Sequence, residues 1–162
     1  MADRIPITPQ GFERLKAELQ QIKTVDRLDN VKEIEEALAH GDLSENAEYH
    51  AAKEKQGLIA GKIAQLEHTV AMAQVIDNTG QDGDRVRFGA TVKLEDTDSG
   101  DEVAYTIVGE YEADAKQGRI SVTSPIARAV MNRAPGDEVT VRVPKGEREF
   151  EIIEIDYELG AE

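Results

Sequence analysis

Residues 40–50 read HGDLSENAEYH and gather His40, Asp42, Glu45, Glu48 and His50 within one short stretch. Asp42, Glu45 and Glu48 recur every third residue, which on a helix places them at neighbouring sites of one face. Carboxylates so placed are hard ligands suited to Mg²⁺, which takes one or two protein carboxylates and keeps several waters. Two such acids alone hold Mg²⁺ weakly. They make chemical sense as half of a site whose other ligands belong to another macromolecule. A simpler reading stands beside this one: Asp42 and Glu45 fit a D-x-x-E capping pattern, with Ser44 as an alternative N-cap. Acids in a first helical turn also suit the positive end of the helix dipole. His40 and His50 flank the stretch from different helices with no i, i+4 spacing, which argues against a preformed zinc site. His68, far along the second helix, reads as a surface or seam residue.

The flanking sequence is helical by period. Thr8 followed by Pro9 is a start signal, a hydroxyl N-cap and then proline at the first helical position. Phe12, Leu15, Leu19 and Ile22 follow at spacings of three and four, an a/d seam. The seam slips over residues 25–31 and resumes with Ile34 and Leu38. Gly41 is the natural left-handed residue to end this helix. The second helix is expected to start within residues 42–44. Its seam runs Tyr49, Ala52, Gln56, Ile59, Ile63, Leu66, Val70 and Ala73. Gly57 and Gly61, four apart, suggest close approach of a partner backbone at a cost of roughly 1 kcal/mol each in helix propensity. Two long seams and a short turn predict an antiparallel hairpin, and about 30 residues per helix make it on the order of 45 Å long.

From residue 78 the period changes to two. Val86, Phe88, Ala90, Val92 and Leu94 alternate with other residues, as do Val103, Tyr105 and Ile107, and Val139, Val141 and Val143. Phe150 and Ile152 alternate, and then Ile153, Ile155 and Tyr157 take the opposite parity, which one extra residue in a β-bulge explains. Ser124-Pro125 opens one short helix reaching about Met131, before a Pro135-Gly136 turn. Residues 78–84, NTGQDGD, read as a linker. The fold class is α+β: a helical coiled-coil hairpin over residues 1–77, then a small antiparallel sheet with one short helix over residues 78–162.

Bulk composition narrows the function. The chain has 162 residues, 40% hydrophobic and only 4% aromatic, with no tryptophan and no cysteine. Disulfides and thiolate metal sites are excluded, and large aromatic-lined pockets are disfavoured. No apolar run reaches transmembrane length and the N-terminus lacks a signal-peptide core, so a cytoplasmic protein with no membrane partner is expected. The net charge of −14 opposes a plain nucleic-acid binder. The acidity is uneven: residues 1–77 carry 14 acids and 9 bases, and residues 78–162 carry 19 and 10. Contact with nucleic acid should therefore involve the first half, or a partner that supplies the positive charge.

The stretch HGDLSENAEYHAAKE resembles the tip of the Gre transcript-cleavage factors of bacterial RNA polymerase. The resemblance continues in MAQVIDNTG at residues 72–80, FGATV at 88–92 and SPIARA at 124–129, and covers essentially the whole chain. Its form is closer to the GreA branch than to GreB, since the hairpin lacks the heavier positive charge of the latter. The resemblance implies that the hairpin enters the polymerase secondary channel. It makes Asp42 and Glu45 the catalytic acids that share the second Mg²⁺ with the polymerase when backtracked nascent RNA is hydrolysed. Ser44, Asn46 and Tyr49 match the tip motif as supporting residues, with Tyr49 also a candidate for the seam. Lys53 and Lys55 match an RNA-binding basic patch, against the simpler reading of solvated lysines paired with Glu48 or Glu54. The second domain is implied to be FKBP-like and to dock on the channel rim through Ser124, Pro125 and Ile126, of which Ser124 and Pro125 would also cap the short helix.

On this reading the chain is a monomeric elongation factor, not a stand-alone nuclease, with no tightly bound cofactor of its own. Three other functions compete. An inhibitory Gre homologue would plug the channel without cleavage, but the Asp42 and Glu45 pair fits the cleaving pattern. A prolyl isomerase or chaperone of the FKBP type needs an aromatic-lined pocket, for which Tyr105, Tyr111, Phe150 and Tyr157 are too few. A generic coiled-coil adaptor leaves the tip motif unexplained.

Overall fold

The computed structural model describes residues 4–41 and 46–157. The chain divides into two compact units, one formed mainly by residues 12–73, the other by residues 5–11 together with the chain from residue 74 onward.

The first unit is the antiparallel helical hairpin. Its outgoing arm is one continuous helical run: α1 (Pro9–Gln21), a π-helical turn (Ile22–Asp26) and α2 (Arg27–Leu38). The returning arm is α3 (Ala47–Met72), whose 26 residues span about 39 Å. The π turn accounts for the seam slip. Up to the start of that turn the seam buries Leu15 and Ile22, with Leu19 half-buried; beyond it the next buried side chains are Asn30 and Ala37. From Ile22 to Asn30 is eight residues, one more than the seven of a regular heptad. A wider i to i+5 turn absorbs the extra residue, with the Arg27 N–H bonding the Ile22 carbonyl.

Several seam expectations change. Leu38 is 44% exposed, and Ala37 takes the buried position instead. On α3 the buried residues are Ala52, Ile59, Ile63, Leu66 and Thr69, while Gln56 is exposed and Val70 only half-buried. Thr69 tolerates full burial because its hydroxyl bonds the Gln65 carbonyl at 3.0 Å. Gly57 and Gly61 allow no close backbone approach: a Cβ at either would meet nothing within 4 Å.

The second unit is built on a five-stranded sheet. Strand β1 (Ile5–Ile7) and β2 (Ala73–Val75) form a separate two-stranded ribbon. The main sheet comprises β3 (Thr91–Asp96), β4 (Glu102–Val108), β5 (Arg119–Ser121), β6 (Glu138–Val143) and β7 (Gly146–Asp156), in the order β5-β4-β3-β7-β6. Four strands pair antiparallel as the alternation requires, and the three-residue β5 joins β4 in parallel, making the sheet mixed. The bulge lies where parity reverses: Leu94 faces Ile152 while Lys93 faces Glu154, so Ile153 is the extra residue. Phe150, Ile152 and Ile155 therefore all reach the core, with Val92, Leu94, Ile107, Val139 and Val141. Helix α4 (Pro125–Val130) closes that core with Ala127 and Val130. The stretch at residues 78–84 is pinned at two points. Asn78 donates to the Phe88 carbonyl at 2.7 Å, and Gly83 lies so close to Ile155 that a Cβ would stand 2.3 Å from its carbonyl oxygen.

The start of α1 is built into this same unit. Thr8 Oγ1 accepts from the Gly11 N–H at 3.0 Å, the expected cap. The carboxylate of Glu112, only 8% exposed, accepts from the N–H groups of Thr8 at 3.0 Å and Gly109 at 2.9 Å, and from the Thr8 hydroxyl. Gly11 is required here, because a Cβ would fall 1.9 Å from Glu112 Oε1.

Candidate functional site

Asp42, Leu43, Ser44 and Glu45 lie outside the described residues, so the site is defined by the helix ends that carry them. The outgoing end closes at Gly41, whose φ of 95° is left-handed and whose N–H bonds the Leu38 carbonyl at 3.1 Å. The returning helix does not begin within residues 42–44 as expected. Its N-cap is Asn46, extended at φ −84° and ψ 96°, with Oδ1 accepting from the Tyr49 N–H at 3.0 Å. Because Asn46 is extended, the helical face on which Asp42, Glu45 and Glu48 were to lie in succession does not continue back through it. Glu48 alone of the three occupies the first turn of α3.

Asn46 has a second bond. Its Nδ2 donates to the Ala37 carbonyl at 2.7 Å, so one side chain caps the start of α3 and adds a second bond to a carbonyl of α2 that already accepts the His40 N–H at 3.2 Å. Asn46 thus ties the two helix ends together. Tyr49 is half-buried, its ring edge-on to His50 with centroids 5.7 Å apart. His40 Nε2 lies 3.7 Å from Glu48 Oε2, both side chains well exposed. Among the described residues no group of three or more His, Asp or Glu side chains is placed to hold a metal ion.

The two lysines of the expected basic patch have partners. Lys53 Nζ donates to Gln56 Oε1 at 2.7 Å. Lys55 pairs with Glu33 of α2 at 2.8 Å, rather than with Glu48 or Glu54. That hydrogen bond, with the charge of Glu33, raises the Lys55 ammonium above its ordinary pKa.

The expected docking residues sit on a braced loop. Ser124 caps α4, accepting from the Ala127 N–H at 3.4 Å and donating to the Ser121 carbonyl at 2.7 Å. Pro125 occupies the first turn and is exposed, while Ile126 is half-buried against the sheet core. Thr123 Oγ1 hydrogen-bonds Ser121 Oγ at 2.7 Å and donates to Glu110 Oε1 at 3.1 Å. The exposed Pro125 is thereby presented from a fixed backbone.

Sequence reasoning missed Asn30, which is 1% exposed inside the hairpin seam and donates from Nδ2 to the Ala52 carbonyl at 3.0 Å. The only signal was the weakening of the seam over residues 25–31. Glu112 gave no signal, because its partner Thr8 is 104 residues away.

Residues 5–75 match the family described as transcription elongation factor, N-terminal, and residues 81–157 match transcription elongation factor, GreA/GreB, C-term. The transcription elongation factor GreA of Anaeromyxobacter sp. (strain K) is 66% identical over 149 residues, covering 92% of this chain and 90% of that protein. The GreA of Hyphomonas neptunium is 54% identical over 155 residues, covering 96% and 99%. Among solved structures, GreA factor homolog 1 (Gfh1) of Thermus thermophilus is 28% identical, with a TM-score of 0.43, covering 94% of this chain and 98% of that one. Among the described residues no helix is long and apolar enough to cross a membrane. With both family regions matched in order and most of the chain aligned to GreA proteins, the chain belongs to the GreA/GreB family of transcription elongation factors.

Proposed function

We propose that this elongation factor stimulates Mg²⁺-dependent cleavage of backtracked nascent RNA within bacterial RNA polymerase. In this reading the hairpin enters the secondary channel and Asp42 and Glu45 help to hold the second catalytic cation. One observation supports the acids most. Asn46 is the N-cap of α3, so helix capping does not account for Asp42 and Glu45. Two carboxylates are hard donors, a chemistry that fits Mg²⁺ shared with a larger site. In two-metal hydrolysis one cation generates the nucleophile and the other stabilises the leaving oxygen. Asp42 and Glu45 would help to hold the second Mg²⁺ and orient the attacking water; Asn46 and Ser44 shape the turn that carries them. Lys53 and Lys55 attract the RNA phosphates, and Lys55 does so after exchanging its contact with Glu33. Ser124, Pro125 and Ile126 dock on the channel rim. The isolated protein is not a nuclease, because half a metal site lacks the remaining ligands.

The experiment separates docking from chemistry. Pro125→Glu should weaken binding to polymerase and leave the cleavage rate at saturating factor near wild type. Unchanged affinity would remove the α4 loop from the contact. Binding of the wild-type chain without release of 3′ RNA fragments would favour a channel-blocking homologue instead.

A further inference from the structure

Beyond the π turn, the buried seam of the hairpin is poor in large apolar side chains. It holds Asn30, the half-buried Ile34 and Ala37 on the outgoing arm and Ala52 on the returning one, whereas Leu28, Val31 and Leu38 on the outgoing arm are exposed at 55%, 40% and 44%. Leu28, Val31 and Leu38 are spaced by three and seven, a better apolar stripe than the one the fold buries. Hydrophobic burial alone therefore does not select the observed register at this end. Two side-chain-to-backbone bonds do. Asn30 of α2 reaches the Ala52 carbonyl on α3, and Asn46 at the start of α3 reaches the Ala37 carbonyl on α2. They run in opposite directions, one heptad apart on the outgoing arm. A buried amide that misses its carbonyl loses its hydration with nothing in return, so any other register is penalised.

We propose that Asn30 and Asn46 are positioning residues for RNA cleavage: this crossed pair of bonds fixes the register of the two chain ends that carry residues 42–45. The proposal rests on the cleavage reading above. A slip of one heptad would move one arm about 10 Å along the other. Far smaller misplacements of a reacting group cost up to about 100-fold in rate.

Two variants remove the bonds while sparing other roles. Asn30→Leu keeps an apolar side chain of similar volume in the seam, where loss of a buried polar group is commonly tolerated. Asn46→Asp keeps the cap oxygen for the Tyr49 N–H and loses the donor to Ala37. Each should retain helicity and polymerase affinity, yet lower the cleavage rate at saturating factor roughly 10-fold or more. The cysteine-free chain permits an independent readout, with spin labels on Glu36→Cys and Glu54→Cys, both exposed positions. The parent should give one narrow distance distribution, and Asn30→Leu and Asn46→Asp broad or displaced ones. An unchanged cleavage rate in either folded variant, or an unchanged distance distribution, overturns the proposal. If Asn30→Leu fails to fold, Asn46→Asp carries the test alone. Asp42→Asn with Glu45→Gln is measured alongside: full cleavage there overturns the cleavage reading itself, while the distance measurement still decides the register.

Discussion

The hairpin and the sheet unit are specified by different means. The sheet unit buries Phe150, Leu94, Ile107, Ile152, Val86, Val92, Val130 and Val141 almost completely, and its register follows from which face is apolar. The hairpin buries a single line of side chains. Toward its free end that line thins to alanines and an asparagine, so directional bonds take over from apolar packing. An arm with a single buried line has few contacts to spare. Each remaining bond there carries more of the geometry than any single contact in the sheet.

That contrast can be broken by mutation. Phe150→Ala, in the middle of β7 and 1% exposed, should destabilise the protein by about 3–5 kcal/mol. Ile63→Ala in the hairpin, 8% exposed and flanked by solvent, should cost about 2 kcal/mol, the lower end of such truncations. Chemical denaturation compares them, and equal losses would show the seam to be packed as tightly as the sheet core. Gly57→Ala and Gly61→Ala should each stabilise α3 by about 0.5–1 kcal/mol, since both face open space. Gly11→Ala should have the opposite sign, because its Cβ would collide with the Glu112 carboxylate. A loss of stability at Gly57 or Gly61 would restore the idea of a close backbone partner.

The smallest effect concerns acid. Asp96, 7% exposed, pairs with Arg148 at 2.9 Å and also accepts from the N–H groups of Asp98 and Ser99. The Arg148 hydrogen bond, followed by these backbone donors, holds its carboxyl below the usual carboxylate range. Its contribution to stability is complete above the unfolded-state pKa and is lost as pH falls through the lower folded-state value. Asp96→Asn should therefore lower the melting temperature at neutral pH and flatten its decline on acidification. A parallel decline in both proteins would remove Asp96 from the acid response.

What could be read from sequence follows the same division. Alternation exposed β3, β6 and the parity reversal in β7, because each pattern is local and the bulge leaves its mark on burial. Thr8-Pro9, Gly41 and Ser124-Pro125 declared helix limits through their own conformational preferences. The true cap of α3 was hidden because Asp42, Ser44 and Asn46 are all good caps, and the contact that distinguishes Asn46 is with Ala37 on another helix. Asn30 interrupts the apolar seam, and its partner, the Ala52 carbonyl, lies on the other helix, where no local pattern marks it. Strand β5 is three residues long, too short for a period, and Glu112 depends on a partner across the chain.

The central claim is that residues at the hairpin end supply carboxylates to a metal site completed by polymerase. The most direct measurement is RNA release from a backtracked elongation complex with Asp42→Asn/Glu45→Gln, at concentrations where binding to polymerase is confirmed. The claim predicts loss of Mg²⁺-dependent 3′ fragment release by at least about 100-fold with affinity retained, in the range expected when positioned acids are removed. Release at the wild-type rate by the bound double variant would contradict it.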